Sequence, residues 1–291
     1  MNTLIVDTSY LIYRSYFAYP NLTYNDIPIG AFFGFSKTIF YLINNLEIDN
    51  LIFALDLPTP TWRHKIFNEY KAGRPEIQAD MVSQIPIIQN WCKEITENYL
   101  VSDGFEADDC IYTAVSQIEA KNNNKNNVYV FSSDKDLYQI LIYENLKFLK
   151  LDKQEIKFFG LSEFKSQYGL NPSQWVDYKA LVGDNSDNLS GINGIGPKTA
   201  TKILQEFESM ENFLQSEKAK QNIWFQKITE NLEKFKLVQK LATLSAVPNL
   251  KISDNSLFLD RGLEDFKRYN FNSLVNFYYK NFVPQEQETL F

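Results

Sequence analysis

The sequence has little cysteine and histidine and no long apolar run. Cys92, Cys110 and His64 are the only residues of these two types in 291 positions. Two cysteines cannot build a disulfide framework, and no Cys or His group has zinc-site spacing. No apolar run reaches the roughly 20 residues that a transmembrane helix needs, and the N-terminus lacks the pattern of a secretory signal. We therefore expect a cytoplasmic protein with no membrane partner and with buried thiols.

The net charge of −7 argues at first against a nucleic-acid partner, because affinity for phosphate normally comes from a basic surface. Nine of the acids, however, fall at five places where a strand ends or a helix begins, and setting them aside leaves −7 + 9 = +2. Residues 61–75 also hold four cations against one acid. A local basic patch is therefore compatible with the acidic total. The nine acids are Asp7, Asp56, Glu106, Asp108, Asp109, Asp134, Asp136, Asp184 and Asp187.

Three short apolar runs, residues 3–6, 51–55 and 128–131, each precede one of these acids. Runs of this type that alternate with helical segments are typical of a parallel sheet buried on both faces. We therefore predict an α/β protein with a mostly parallel central sheet. Sites in such sheets lie at the carboxyl ends of the strands, so the acids that follow the strands should meet at one edge.

Helical spacing predicts helices over residues 32–46, 84–97 and 107–120. On the third helix Glu106 and Asp109 are three residues apart and share a face, whereas Asp108 lies about 100° from Asp109. After about residue 170 the pattern is helical, interrupted by the glycine-rich residues 191–196 before a proline suited to a helix start.

The gathered acids predict a multi-metal carboxylate site. Neighbouring carboxylates raise the cost of ionising one another, and divalent cations remove that cost. Hard cations such as Mg²⁺ prefer oxygen ligands, and two of them about 4 Å apart can activate water and stabilise a leaving oxygen in phosphodiester hydrolysis. Any one of the acids could instead be a helix N-cap or a solvated surface charge.

Six motifs in order along the chain resemble the 5′-nuclease domain of bacterial DNA polymerase I, a member of the flap endonuclease superfamily. The motifs are Asp7 and residues 55–64, 70–75, 105–109, 133–137 and 183–188. The resemblance covers roughly residues 3–282 and implies a PIN-like catalytic domain (1–170) with a helical arch (about 62–98). A helical DNA-binding region (171–282) with a helix-hairpin-helix (about 188–205) would follow, and residues 283–291 would be a tail.

The resemblance also implies roles for the acids. Two Mg²⁺ ions, or Mn²⁺ in their place, would be held by two groups of ligands, while Asp109 and Asp184 would act through water and tolerate substitution best. The first group is Asp7, Asp56, Glu106 and Asp108, and the second is Asp134, Asp136 and Asp187.

Cations and aromatic residues alternate over residues 62–74, a mixture suited to phosphates and stacked bases of a single strand. The resemblance places Lys71 and Arg74 near the scissile phosphate, and Arg14 beside the site, although Arg14 could equally pair with an acid. Arg63 and Tyr70 are further candidates for DNA binding. An ordinary solvated helix face is the alternative, and His64 is expected to pack rather than act as a base.

The glycine-rich turn resembles a helix-hairpin-helix. Gly194, Gly196, Lys198 and Thr199 would bind duplex phosphates through backbone N–H groups and side chains, and backbone carbonyls could hold K⁺. A tight interhelical turn without a ligand is the alternative. Ser190 stands where many relatives carry proline.

The C-terminal residues Gln287, Leu290 and Phe291 resemble the short peptide with which bacterial replication proteins bind the sliding clamp. A motif this short also occurs by chance. Two exposed apolar residues at a terminus, however, have no core to join.

The sequence thus predicts a stand-alone, monomeric, nucleoid-associated 5′ nuclease for 5′-flap DNA and RNA–DNA primer junctions. A separate DNA polymerase would be its partner in replication and repair. A PIN-like ribonuclease and a non-catalytic DNA-junction binder are the alternatives. The hairpin and the arch segment speak against the first, and the presence of all the expected acids speaks against the second.

Overall fold

The computed structural model describes residues 1–122, 126–153, 155–254 and 257–284, and its centre is a six-stranded sheet. The strand order is β5-β4-β1-β6-β7-β8; β8 is antiparallel to β7, and all the other pairs are parallel. The strands are β1 (Asn2–Asp7), β2 (Thr23–Tyr24), β3 (Ile27–Pro28), β4 (Asn50–Ala54), β5 (Tyr99–Leu100), β6 (Asn127–Phe131), β7 (Leu146–Asp152), β8 (Glu155–Phe159), β9 (Gly183–Asp184) and β10 (Leu189–Ser190). The predicted α/β class with a mostly parallel sheet is confirmed.

Helices cover both faces of this sheet and form the C-terminal half. The helices are α1 (Thr8–Ala18), α2 (Gly30–Leu46), α3 (Trp62–Ile66), α4 (Ala79–Ile95), α5 (Ala107–Asn122), α6 (Leu161–Tyr168), α7 (Trp175–Val182), α8 (Pro197–Phe207), α9 (Met210–Gln215), α10 (Phe225–Glu230), α11 (Leu232–Ala242), α12 (Leu263–Arg268) and α13 (Asn272–Asn281). Short 3₁₀ helices span Asp136–Ile142, Pro172–Gln174, Asn185–Asp187 and Ala219–Gln221. No helix in the described part of the chain is long and apolar enough to span a membrane.

Two apolar cores lie on opposite faces of the sheet because alternate strand residues point to opposite sides. Leu4 and Val6 pack with α1, α2 and α4, whereas Ile5 packs with α5 and the helices α7 to α11. Every strand residue from Leu4 to Val6 is fully buried. The continuous apolar run in the sequence follows from this burial on both faces.

The last two helices pack on the N-terminal half of the molecule. Phe266 in α12 contacts Phe32 and Trp91, with ring centroids 6.1 and 5.6 Å apart. The helices of the region 171–282 therefore contribute to both cores, and the last part of the region belongs to the core on the α2 side. A helical pattern shows that one face is buried, but it does not show which partner covers that face.

The order of the strands places a crevice at the end of β1. The chain passes from β1 to β4 and β5 on one side, then returns to add β6 and β7 on the other. The carboxyl ends of β1 and β6 flank this switch point, where open α/β sheets bind their ligands. Asp7 ends β1, and Asp134 follows β6 by three residues.

The segment predicted to form a helical arch, about residues 62–98, contains α3, α4 and the connection between them. Residues 67–78 connect α3 and α4 without α-helix, and residues 72–80 are exposed. Helix α4 itself belongs to the body, because Ile88 and Trp91 are fully buried. Its 3–4 spacing of apolar residues serves the core rather than an arch. We call residues 67–78 the crossing segment.

Candidate active site

A cleft of about 640 Å³ lies at the carboxyl edge of the sheet. Its walls combine acids with cations. The charged side chains that line it are Asp7, Asp56, Asp108, Asp134, Asp184, Lys71, Arg74, Lys135 and Lys179. Glu106, Asp136 and Asp187 are buried and adjoin it through these cations. The structure thus assembles eight of the nine predicted acids around one cleft, and only Asp109 points elsewhere.

Asp7 and Asp56 are held by helix ends. The Asp7 carboxylate accepts a hydrogen bond from the Tyr10 backbone N–H at 3.0 Å and caps α1, and it accepts another from the Ser132 hydroxyl at 2.8 Å. The Asp56 carboxylate accepts from the Ala107 N–H at 2.8 Å, at the start of α5. Both acids follow strands, so the sheet brings two capped helix N-termini, with their partial positive charge, to one place.

Burial makes several of these acids hard to ionise. It raises the pKa of Asp7 to about 7, to which the nearby Asp56 charge contributes, against the opposing hydrogen bonds from Tyr10 and Ser132. Burial, together with Asp134 and Asp7, raises the pKa of Asp108 well above its usual range. The pKa of Asp134 is also raised, mainly by burial. Buried oxygen donors that repel one another fit a divalent cation, which favours their charged forms.

The chain's own cations neutralise the other acids. The Lys71 ammonium lies 2.6 Å from a Glu106 oxygen, and the Arg74 guanidinium lies 2.8 Å from an Asp187 oxygen. Lys179 forms ion pairs with both Asp136 and Asp184. Burial alone would raise the pKa of Asp184, but the Lys179 charge and its hydrogen bond outweigh burial and lower that pKa to about 2.

This pairing affects how metal could bind. Across the described residues, no three Asp, Glu, His or Cys side chains converge closely enough to hold one ion without movement. Lys71 lies against Glu106, and Lys179 lies between Asp136 and Asp184. Lysine side chains are flexible. The predicted ligand groups therefore remain predictions, and binding would require Lys71 and Lys179 to swing away. Lys179 was missed by the sequence reasoning, although its position on α7, just before Gly183 and Asp184, is a usable signal.

The position of Tyr70 contradicts the prediction that this residue binds DNA. Its side chain is only 4% exposed, and its hydroxyl lies 3.1 Å from a Glu106 oxygen and 2.9 Å from an Asp187 oxygen. Burial and the two acids raise the pKa of Tyr70, so it stays protonated as a hydrogen-bond donor. The ring cannot stack on a base from this position. Tyr70 instead fixes the crossing segment to two predicted metal ligands.

The positions of Arg63 and Asp109 contradict two further predictions, that Arg63 binds DNA and that Asp109 is an outer metal ligand. Arg63 is 2% exposed and forms a bidentate pair with the fully buried Asp109, so it presents no surface to DNA. Its guanidinium also lies 3.1 Å from Glu106. On α5 the face shared by Glu106 and Asp109 turns inward, and Asp108 alone faces the cleft. Asp109 is therefore a structural ion-pair partner rather than an outer metal ligand.

Arg14 lies outside the cleft. Its guanidinium donates to the Leu151 backbone carbonyl at 3.0 Å, and it lines a separate groove between α1, α2 and the end of β7. It neither joins the acids nor pairs with one among the described residues. The sequence places Arg14 seven residues after Asp7, and the helix carries it away from the site by two turns.

The glycine-rich turn joins α7 to α8 through the short strands β9 and β10. A Cβ on Gly191 would lie 2.3 Å from the Val182 carbonyl carbon, so only glycine permits this approach. Gly194 has φ +82°, and Gly196 is the N-cap of α8. Lys198 is exposed and Thr199 is partly exposed at the start of α8. The four predicted DNA-binding residues thus form one accessible turn.

Trp224 and Lys227 lie beside this turn, next to Gly194. Sequence reasoning missed them because they are about 30 residues away along the chain. The predicted clamp-binding residues Gln287, Leu290 and Phe291 lie outside the described residues.

Comparison with known families gives two consecutive matches. A 5′-3′ exonuclease N-terminal resolvase-like domain matches residues 2–169, and a 5′-3′ exonuclease C-terminal SAM fold matches residues 170–262. The chain belongs to the 5′-3′ exonuclease family. Family membership covers most of the sequence and confirms the resemblance that the six motifs indicate.

Relatives of two lengths belong to this family. The chain is 35% identical to a 5′-3′ exonuclease of Aquifex aeolicus, over 90% of this chain and 88% of the relative. It is 34% identical to a 5′-3′ exonuclease of Mycoplasmopsis pulmonis, over 86% and 82% of the two chains. It is 31% identical to DNA polymerase I of Bacillus subtilis, over 98% of this chain but only 33% of the polymerase. The chain thus spans about a third of the polymerase relatives and most of the exonuclease relatives.

Solved structures share the fold at low identity. The T5 5′-exonuclease with bound zinc aligns with a TM-score of 0.68 and 19% identity, over 96% of this chain and 98% of the other. The catalytic core of Rad2 in complex with a DNA substrate aligns with a TM-score of 0.59 and 15% identity, over 96% and 91%. The chain therefore has the fold of the T5 5′-exonuclease and of the Rad2 catalytic core.

Proposed function

We propose that the protein is a metal-dependent, structure-specific 5′-3′ exonuclease and flap endonuclease. It hydrolyses phosphodiester bonds in 5′-flap or nicked duplex DNA and in RNA primers. The observation that carries this proposal is the cleft at the switch point of the sheet, where Asp7, Asp56, Asp108 and Asp134 meet. The named exonuclease relatives of similar length support the reaction class.

The donor set of the cleft fits Mg²⁺, with Mn²⁺ as a substitute, because it consists of oxygen ligands and contains no thiol or imidazole. Bound there, two ions would supply an activated water and stabilise the leaving oxygen. Related structures with bound divalent ions support the metal dependence. The proposed ligands of the first ion are Asp7, Asp56, Glu106 and Asp108, and those of the second are Asp134, Asp136 and Asp187, with Asp184 bound through water.

Lys71 and Arg74 are placed to serve both the acids and the substrate. In this structure they neutralise Glu106 and Asp187, and both line the cleft. A scissile phosphate that enters with metal would compete for them, because cations bind phosphate and can stabilise charge that develops in the transition state. Lys71 has φ +59°, in the left-handed region that is uncommon for lysine. Such strain is frequent where a segment is held for function.

Duplex DNA is proposed to bind at the glycine-rich turn. Gly194 and Gly196 allow close approach to backbone N–H groups, while Lys198 and Thr199 add side-chain donors at the start of α8. Contacts of this kind grip phosphates without reading bases, so specificity would depend on the shape of the DNA. Backbone carbonyls of the same turn are the proposed site for K⁺.

Cleavage of a labelled 5′-flap duplex in Mg²⁺ tests this proposal. The wild type should release the flap near the junction, and Asp136→Asn should be strongly impaired with its fold intact by circular dichroism. If neither protein cleaves the flap in Mg²⁺ or in Mn²⁺, the proposal that the protein is a nuclease is rejected. Tight flap binding without turnover would favour a junction binder, and preference for single-stranded RNA would favour a ribonuclease.

A sliding clamp and a separate DNA polymerase are the proposed protein partners. The match to DNA polymerase I of Bacillus subtilis, in which the matched segment is about a third of the length, supports a polymerase as partner. Deleting residues 287–291 and measuring the affinity for the clamp tests the first partner. Unchanged affinity would reject it without affecting the nuclease proposal.

A further inference from the structure

A second groove, of about 440 Å³, lies between α1, α2 and the end of β7. Three cations line it, Arg14, Lys37 and Lys153, and none of the described residues that line it is acidic. We call it the cationic groove. The groove is therefore locally positive, although the chain carries a net charge of −7.

These cations differ from those of the cleft in having no acidic partner. In the cleft, ion pairs with acids are formed by Lys71, Arg74 and Lys179. Within the described ranges, neither Arg14, Lys37 nor Lys153 does. Arg14 donates to a backbone carbonyl, and the Lys37 ammonium lies 3.2 Å from the Tyr19 hydroxyl. Both contacts hold the cation in place and leave its charge uncompensated.

Packing at the floor of the groove fixes the positions of the cations. A Cβ on Gly34 would lie 2.7 Å from the Tyr19 ring, so glycine allows that ring to lie against α2. Lys37 then sits over the Tyr19 ring, with its ammonium 5.8 Å from the ring centroid. The Arg14 bond to Leu151, at 3.0 Å, ties α1 to the end of β7 and brings Lys153 to the rim. The cations are therefore positioned by packing.

An exposed aromatic stripe joins the cationic groove to the acidic cleft. Tyr10 lines the cleft, and Arg14 lines the groove about one helical turn further along α1. Between and beside them, Tyr13 and Phe17 are 54% and 53% exposed, with ring centroids 4.7 Å apart. The spacing i, i+3, i+4 and i+7 puts these residues on one face of α1. Aromatic surfaces beside cations suit nucleotides, whose bases stack and whose phosphates are anionic.

The separation of the two sites matches a DNA strand. Arg14 follows Asp7 by seven residues, or about 10 Å along α1 at 1.5 Å per residue. Phosphates of one strand in a duplex recur about every 3.4 Å along the axis. If the duplex axis runs along α1, a strand with one phosphate in the cleft would present another to the groove about two to four nucleotides away.

We propose that the cationic groove binds a backbone phosphate of the DNA substrate, about two to four nucleotides from the scissile bond. This inference rests on the proposed nuclease function and adds a contact outside both the acidic cleft and the glycine-rich turn. The ligand chemistry is a phosphate diester, and Arg14, Lys37 and Lys153 are the contacting groups.

Binding of a 5′-flap duplex in EDTA, measured by fluorescence anisotropy over a KCl series, tests the contact. The Lys37→Gln/Lys153→Gln variant should bind roughly tenfold more weakly at 0.1 M salt, with the slope of log Kd against log salt smaller by about 1, because one phosphate contact is lost. Lys267→Gln is the matched control, because Lys267 is an exposed lysine on α12 that pairs with Glu264. A double variant with the Kd and salt slope of this control would overturn the inference.

A crosslinking experiment identifies the contacted nucleotide. Cys92 and Cys110 are both buried, so a thiol introduced by Lys37→Cys or Lys153→Cys can be labelled selectively with a photoactivated group. Crosslinks should fall about two to four nucleotides from the mapped cleavage position. Crosslinks confined to distant nucleotides would contradict the inference.

Protection of the same thiols from alkylation separates DNA from a small anion. Flap DNA should protect them, whereas inorganic phosphate or a mononucleotide should not protect at the same phosphate concentration. Protection by the small anions alone would overturn the inference. Cleavage of the flap by the wild type tests the nuclease proposal separately. If the wild type cleaves flaps but these tests fail, only the inference about the cationic groove is rejected.

Discussion

Arg63 and Asp109 form a bidentate ion pair in the interior, with nitrogen–oxygen distances of 2.7 and 2.9 Å. Both side chains are buried: Arg63 is 2% exposed and Asp109 is 0% exposed. Arg63 also donates to the Leu241 carbonyl at 2.8 Å, and the Ser245 N–H donates to Asp109 at 2.8 Å. The pair thus joins α3 and α5 to the segment that follows α11.

Asp109→Ala should therefore lower the free energy of unfolding by about 3 kcal/mol, because the buried Arg63 loses its bidentate partner and keeps only the Glu106 carboxylate, 3.1 Å away. Urea denaturation measures the change. Lys157→Gln is the control: it breaks the exposed Lys157–Asp152 pair, which solvent screens, and should change the stability far less. Equal losses in the two variants would show that the buried pair is not essential. The result also tests the sequence-based expectation that Asp109 tolerates substitution well.

Lys179→Met should destabilise the protein in EDTA by about 3 kcal/mol, because it removes the cation that pairs with both Asp136 and Asp184. Addition of Mg²⁺ should recover much of this loss, since a divalent ion can neutralise the same acids. Thermal unfolding with and without Mg²⁺ measures both effects, and Lys179→Arg, which keeps the charge, is the control. A loss that is the same with and without Mg²⁺ would argue against competition between Lys179 and metal.

The stability of the metal-free protein should depend on Asp7 in a defined pH window. Its pKa is about 7 in the folded chain and 3.8 ordinarily, so the folded state binds the proton more tightly. The Asp7 contribution is therefore fully present below about pH 4 and is lost as the pH rises to about 7, by at most about 4 kcal/mol. Asp184, with a pKa of about 2, contributes in the opposite direction and below this window.

Urea denaturation of the wild type and Asp7→Asn in EDTA, at pH 5 and pH 7.5, isolates this contribution. The wild type should lose more stability than the variant over this interval. Binding of Mg²⁺ near pH 6 should release protons, as measured by calorimetry in buffers of different ionisation enthalpy. A wild type that gains stability relative to Asp7→Asn between pH 5 and 7.5 would contradict the raised pKa.

Gly191→Ala should disrupt the glycine-rich turn, whereas Gly196→Ala should be nearly neutral. A Cβ on Gly191 would lie 2.3 Å from the Val182 carbonyl carbon, but a Cβ on Gly196 meets no heavy atom within 4 Å. We expect a loss of more than about 2 kcal/mol for the first and about 0.5 kcal/mol for the second, which replaces a glycine N-cap. Denaturation of both variants measures the difference, and similar stabilities would contradict the close backbone approach.

Much of the central sheet was predictable because its strands are buried on both faces. The runs at residues 3–6, 51–55 and 128–131 fall within or within one residue of β1, β4 and β6. The short β5 and the antiparallel β8 were not predicted, since two residues of strand carry too little pattern, and the alternation in β8 is weak. Helix α1 was also missed, because its exposed Tyr13 and Phe17 obscure the polar face that marks an amphipathic helix.

The sequence by itself determined the family, the fold class and which acids could meet, because acids that follow parallel strands must share one edge of the sheet. Only the tertiary structure decided what each charge contacts. Arg63 and Lys71 belong to the same basic run, yet the first is buried against Asp109 and the second lies at the cleft beside Glu106. Arg14, Lys37 and Lys153 come from three separate segments and meet in one groove. Spacing along a chain sets the face of a helix or strand, whereas the partner of that face depends on packing between distant segments.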